Sequence, residues 1–199
     1  MSDQEIKRKV IRISMLGDSL VGKTSIVNTF LNIEFTENNL MTIGTDKMES
    51  YMKMNDGNEL KVIIWDTAGQ ERFHSIAKST IKNAQGIIVS FDMTKRKTFE
   101  NVNVWLNEIR ENSVSIPIVL FGNKCDLKEN RTVTKEEAEK LAEANHLAYF
   151  ETSAKLDINI KEGFKKICED AYAKSGGELG MHLKKNKKKT KKNCCGKDN

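Results

Sequence analysis

The sequence predicts an α/β protein: a doubly wound, mostly parallel six-stranded sheet with one antiparallel strand and helices on both faces. Three observations predict it. Short apolar runs alternate with segments whose apolar residues recur at helical spacing. One turn, Asn55-Asp56-Gly57-Asn58, has the chemistry of a hairpin. A Gly-rich turn, GDSLVGKT at 17–24, joins the first run to the first helical segment.

The alternating run from Val10 to Leu16 is the first strand. Ile26, Val27, Phe30 and Leu31 recur at helical spacing, so residues 23–32 form a helix facing the sheet, and 33–44, with no sustained period, form a loop. Residues 45–54 and 59–66 flank the hairpin turn and supply the antiparallel pair. Gly86–Asp92 and Ile116–Gly122 are two further strands, separated by a segment with Phe99, Val102, Leu106 and Ile109 on one helical face. Thr134-Lys135-Glu136-Glu137 is a capping box that opens a helix with Ala138, Leu141 and Ala142, and a short strand follows at Ala148–Glu151. Phe164, Ile167, Cys168 and Ala171 mark the last helix, which Ser175-Gly176-Gly177 ends. The expected organisation is one globular domain over residues 1–174 and a tail over 175–199, where KKNKKKTKKNCCGKDN has too little apolar content to fold.

Charge is divided along the same boundary. Residues 181–199 hold eight lysines and one aspartate, +7 locally, so residues 1–180 carry −2 of the net +5. The body has no basic stripe and no aromatic stacking platform, so no nucleic-acid partner is expected. Cys125 and Cys168 stand far apart and Cys194-Cys195 are adjacent, which gives no disulfide or zinc framework and points to a reducing compartment. No apolar run has the roughly 18 residues that a bilayer span needs, and MSDQEIKRK has no apolar leader core. A cytoplasmic chain is expected, with any membrane contact made through the tail.

GDSLVGKT satisfies G-x-x-x-x-G-K-[ST] between a predicted strand and a predicted helix, which is the context of a P-loop. Backbone N–H groups of Ser19, Leu20, Val21, Gly22, Lys23, Thr24 and Ser25 at the helix N-terminus suit phosphate; Lys23 reaches the β/γ oxygens, and Thr24 offers a hydroxyl to Mg²⁺. Asn123-Lys124-Cys125-Asp126 ends the fifth run at the carboxyl edge of the sheet. Guanine presents N1–H and an exocyclic amine side by side, so the Asp126 carboxylate accepts both, whereas adenine sets a lone pair against it. Ser153-Ala154-Lys155, after the sixth run, can donate a backbone N–H to guanine O6. In WDTAGQERF at 65–73, Asp66 can hold Mg²⁺ through water, the Gly69 N–H can approach the γ-phosphate, and Gln70 can orient the attacking water. Asn123, Lys124 and Asp126 argue against an ATPase or kinase.

With GDSLVGKT, TIGTD, WDTAGQERF, NKCDL and ETSAK in this order, the chain resembles the Ras-superfamily small GTPases, and within them the Rab branch, over about residues 8–174. The resemblance implies the P-loop NTPase G domain. It also implies that Thr42 ligates Mg²⁺ and senses the γ-phosphate, that Phe35 packs beside guanine, and that loops 33–47 and 67–82 are the switches. A slow switch in vesicle traffic is implied, acting as a monomer with an exchange factor, a GTPase-activating protein and effectors. No arginine finger is evident in cis, a group worth about 10³ to 10⁵ in rate where a partner supplies it. Three departures stand out. Lys47 and Thr80-Ile81 replace aromatics that, with Trp65, normally form the effector patch, and Leu20 fills a P-loop position that is usually small, with a consequence for packing near the phosphates. Cys194 and Cys195 after a polybasic stretch resemble Rab prenylation sites, although Gly196-Lys197-Asp198-Asn199 is not a C-a-a-X box. The location implied is peripheral, on the cytosolic face of an intracellular membrane.

Overall fold

The computed structural model describes residues 9–35, 45–54, 57, 59–67, 74–113 and 115–175, with the backbone alone at Thr45 and at 74–77. Six strands, β1 (Lys9–Leu16), β2 (Thr45–Lys53), β3 (Glu59–Thr67), β4 (Gly86–Asp92), β5 (Ile118–Asn123) and β6 (Ala148–Glu151), form one sheet in the order β2-β3-β1-β4-β5-β6. Only β2 runs antiparallel, at the edge beside β3. The order reverses between β3-β1 and β4, which opens a crevice at the carboxyl ends of these strands.

The period-two alternation of the strands sends side chains into two cores. Ile11, Ile13, Met15, Ile88, Val119 and Phe121 meet α1 (Lys23–Phe30) and α6 (Ile160–Lys174) on one face, where Phe30 stacks on Phe164 at 4.0 Å between ring centroids. Ile87, Val89, Phe91 and Leu120 meet the helices of the other face: α2 (His74–Asn83), α3 (Arg96–Glu100), α4 (Val102–Asn112) and α5 (Lys135–Ala144). The capping box of α5 forms as its residues require: Thr134 Oγ1 accepts from the Glu137 N–H at 3.2 Å, and Glu137 Oε2 accepts from the Thr134 N–H at 2.9 Å.

Several expectations need correction. Residues 74–83 are helical where a switch loop was expected; Ile81 is wholly buried among Leu16, Val102 and Leu106 and anchors this helix to the second core. Ile81 and the 8%-exposed Thr80 therefore offer little to an effector, and of the substituted patch positions only Lys47 is well exposed. The expected helix between β4 and β5 is two helices separated at Asn101. Met54, just past β2, lies in the first core. β5 begins two residues later than expected, because Pro117 has no N–H to give and contributes only its carbonyl, accepting from the Ile87 N–H at 3.0 Å.

Candidate functional site

The end of β1 turns sharply at Gly17, whose φ is +136° and where a Cβ would stand 2.1 Å from the Ser90 carbonyl oxygen. The chain then enters α1 through Gly22, in the left-handed region, with no side chain capping the helix. The N-terminus of α1 therefore opens at the turn, where the helix dipole suits an anion. Lys23 folds back over the turn; its Nζ donates to the carbonyl oxygens of Gly17 at 2.9 Å and Asp18 at 2.8 Å. It is 5% exposed, and burial pulls its pKa from 10.5 down to about 8, against the opposing charges of Asp66 and Asp18. A phosphate beside it would restore the charged form. Leu20 has φ +63° and is 55% exposed, so its side chain stands in solvent.

Asp66, at the end of β3, is wholly buried. One oxygen, Oδ2, accepts from Thr24 Oγ1 at 2.5 Å, while Oδ1 has no hydrogen-bond partner among the described residues. Burial pushes this carboxyl up, while the Thr24 hydrogen bond and the nearby Lys23 charge pull it down. A hydroxyl and a carboxylate with an orphaned buried oxygen fit a small, hard, oxygen-seeking cation such as Mg²⁺.

Asn123 ties the second half of the site to the first. Its Nδ2 donates to the Val21 carbonyl at 2.8 Å, and its Oδ1 accepts from the Ala154 N–H at 3.3 Å and Thr152 Oγ1 at 3.4 Å. A Cβ on Gly22 would come within 2.5 Å of that same Nδ2, so glycine is needed there for contact as well as for backbone conformation. Lys124, at φ +65°, reaches back to donate to the Leu20 carbonyl at 3.0 Å and pairs with the buried Asp92 at 2.6 Å. Asp126 is half-buried just beyond. Thr29 Oγ1 of α1 donates to the Ala154 carbonyl at 2.8 Å, which holds the Ser153-Ala154-Lys155 loop against the cradle. The Ser153 N–H is given to the Ile158 carbonyl at 3.2 Å and the Ala154 N–H to Asn123 Oδ1 at 3.3 Å, so both are tied into the loop that borders the cradle.

The comparisons agree with this geometry. The Ras family model matches residues 12–173. The chain belongs to the Ras family. It is 40% identical over 177 residues to Ras-related protein Rab-13 of Mesocricetus auratus, covering 88% of this chain and 87% of the relative. It is 38% identical to Ras-related protein RABA5c of Arabidopsis thaliana, covering 86% and 80% of the two chains. With Ras-related protein Rab-2B of Dictyostelium discoideum the identity is 40%, over 84% and 83%. The protein is therefore a Rab-type small GTPase, a guanine-nucleotide switch of vesicle traffic with regulators and effectors.

In this GTPase the structure brings together Ser19 to Ser25, Asp66, Asn123, Lys124, Asp126 and Ser153 to Lys155 at the carboxyl edge of the sheet. Phe35, five residues past α1, is half-buried against the first core. Thr42, Gly69, Gln70, Cys194 and Cys195 lie outside the described residues. Sequence reasoning missed Asp92, which seats Lys124; the signal was its place at the end of β4, matching Asp66 and Asn123 at the ends of β3 and β5. It also missed the two donors that hold Asp18, Asn101 and Trp105, for which spacing gives no sign.

Proposed function

We propose that the site binds one guanine nucleotide with Mg²⁺ and hydrolyses GTP slowly, so that occupancy by GTP or GDP sets which partners the surface accepts. The observation that carries this reading is Asn123, which bonds the phosphate cradle through Val21 and the Ala154 loop through its other amide atom. The base reader and the phosphate reader are thereby one rigid unit.

In this reading the backbone of Ser19 to Ser25 and the Lys23 ammonium take the phosphates. Thr24, Thr42 and Asp66 hold the ion, which when bound spreads the charge of the β- and γ-phosphate oxygens. Gly69 meets the γ-phosphate and Gln70 orients the attacking water. Asp126 accepts the guanine N1–H and amine, Ala154 and its neighbours face O6, and Phe35 packs beside the base. The segments 33–44, before β2, and 68–73, between β3 and α2, order around GTP and relax after hydrolysis. A GTPase-activating protein supplies the missing cation, and an exchange factor opens the site.

Residues 1–174 are the G domain, acting as a monomer, and 175–199 a tail. Among the described residues no helix is long and apolar enough to cross a membrane. Membrane contact is assigned to prenylated Cys194 and Cys195, which place the protein peripherally on a cytosolic membrane face and let it cycle between membrane-bound active and inactive states. The test is to identify the nucleotide that co-purifies with the full-length protein, then follow single-turnover hydrolysis of GTP and ATP with Mg²⁺. GTP-only turnover is expected; ATP turnover at an equal or faster rate would overturn the base assignment.

A further inference from the structure

The phosphate cradle contains one acidic side chain, and its charge has the wrong sign for a phosphate ligand. Asp18 follows Gly17 directly, and its backbone carbonyl holds Lys23 Nζ at 2.8 Å. Its carboxylate makes two bonds away from the turn: Oδ1 accepts from Trp105 Nε1 at 2.8 Å and Oδ2 from Asn101 Nδ2 at 2.7 Å. Trp105 lies on α4 and is 8% exposed within the second core; Asn101 is the half-buried residue between α3 and α4. Both donors are neutral. They satisfy both carboxylate oxygens without cancelling the charge, so what they fix is its direction.

We propose that Trp105 and Asn101 are positioning residues for nucleotide binding, holding the Asp18 carboxylate on the α4 side of the cradle and away from the phosphates. Freed from them, a carboxylate on this turn competes with phosphate for Lys23 and repels phosphate oxygens at short range. The same bonds pin the outer side of the turn whose inner carbonyls hold Lys23, so α4 and the cradle move together. Ile81 of α2 packs in the same core as Trp105, and Lys78 of α2 pairs with Glu108 of α4 at 3.7 Å. Displacing α2 therefore has a direct path to the grip on the nucleotide. This inference rests on the nucleotide reading above.

The experiment is the rate of release of fluorescent GDP from full-length protein in excess Mg²⁺, with thermal melts as control. The lost charge-assisted bond corresponds to release faster by about tenfold or more in Trp105→Phe. Asn101→Ala, which leaves the core untouched, is expected to speed release by a smaller factor. Asp18→Ala removes the charge together with the bonds, so the Asp18→Ala/Trp105→Phe double variant is expected to release GDP no faster than Asp18→Ala and more slowly than Trp105→Phe. Wild-type rates in both donor variants, or a double variant in which the two factors multiply, would overturn the inference, because a purely structural Trp105 is indifferent to the charge at position 18. Failure of the unmodified protein to bind GDP would overturn the nucleotide reading as well, whereas tight GDP binding with unaltered variant rates overturns this inference alone.

Discussion

In the proposed function the choice of base rests on a single carboxylate, Asp126. Asp126→Asn replaces one acceptor with a donor, so it loses the guanine N1–H and amine pair and gains a match to the 2-carbonyl of xanthine. Discrimination by a buried hydrogen-bonding group reaches about 10⁴ to 10⁵ where the wrong ligand leaves polar atoms unpaired. Competition of GDP and xanthosine diphosphate against a fluorescent nucleotide checks this; a retained guanine preference would remove Asp126 from base reading. Gln70→Leu keeps the volume and loses the amide. GTP is expected to stay bound and turn over at least about tenfold more slowly in single-turnover assays with an activating protein, while an unchanged rate would exclude Gln70 from the mechanism. Lys124 and Leu20 show a different kind of residue-scale cost. Both sit at positive φ, 65° and 63°, and the bond from Lys124 Nζ to the Leu20 carbonyl joins the two strained positions directly. A left-handed non-glycine residue costs of order 1–3 kcal/mol, and such strain persists where surrounding bonds over-determine it.

Among the elements, α6 is held by a contact that tolerates no added atom. A Cβ on Gly163 would lie 2.3 Å from two ring carbons of Phe121 on β5, and that ring is itself set edge-on against Phe150 and Phe164. Gly163→Ala is expected to destabilise the fold by about 1–3 kcal/mol from overpacking, offset in part by the better helix propensity of alanine, about 1 kcal/mol. Urea denaturation reads the net loss; a gain in stability would show that the ring yields. Cys168 on the same helix is wholly buried, and burial pushes its thiol from 9.0 up to about 12. The folded form keeps a proton that the unfolded form gives up, so this group's contribution to stability is complete below pH 9 and falls as pH rises from about 9 to about 12. Native labelling by a thiol reagent is expected to stay slow from about pH 8 to 10, where a free thiol of ordinary pKa accelerates; rapid native labelling would mean that α6 opens. These elements also show what the sequence made legible. Strand positions, the P-loop and the α5 cap could be read because period two, the glycines and Thr134-x-x-Glu137 are local signals. The α2 helix, the break at Asn101 and the Asp18–Trp105 pair depend on what lies across the fold, and no local pattern encodes that.

At the scale of the whole molecule, the proposed lipidation of Cys194 and Cys195 would divide one task with charge. A body carrying −2 has no attraction for an anionic leaflet, and the +7 of residues 181–199 belongs to the segment that contains Cys194 and Cys195. Each lysine near such a surface is worth about 1 kcal/mol at low salt, and the effect dies away within a Debye length. A single lipid chain holds a protein only marginally, so stable attachment takes two chains, or one chain and the lysines. The two contributions separate experimentally. Cys194→Ser with Cys195→Ser is expected to shift the protein from the membrane to the supernatant fraction of cells at physiological salt, because the lysines alone are then screened. Each single cysteine variant is expected to remain on membranes at low salt and to be released by raised salt, since one chain then depends on the lysines. If the double variant stayed membrane-bound, the lipid assignment would fail. If the single variants resisted salt, one chain would be sufficient without the lysines, and the basic stretch would have to serve another purpose.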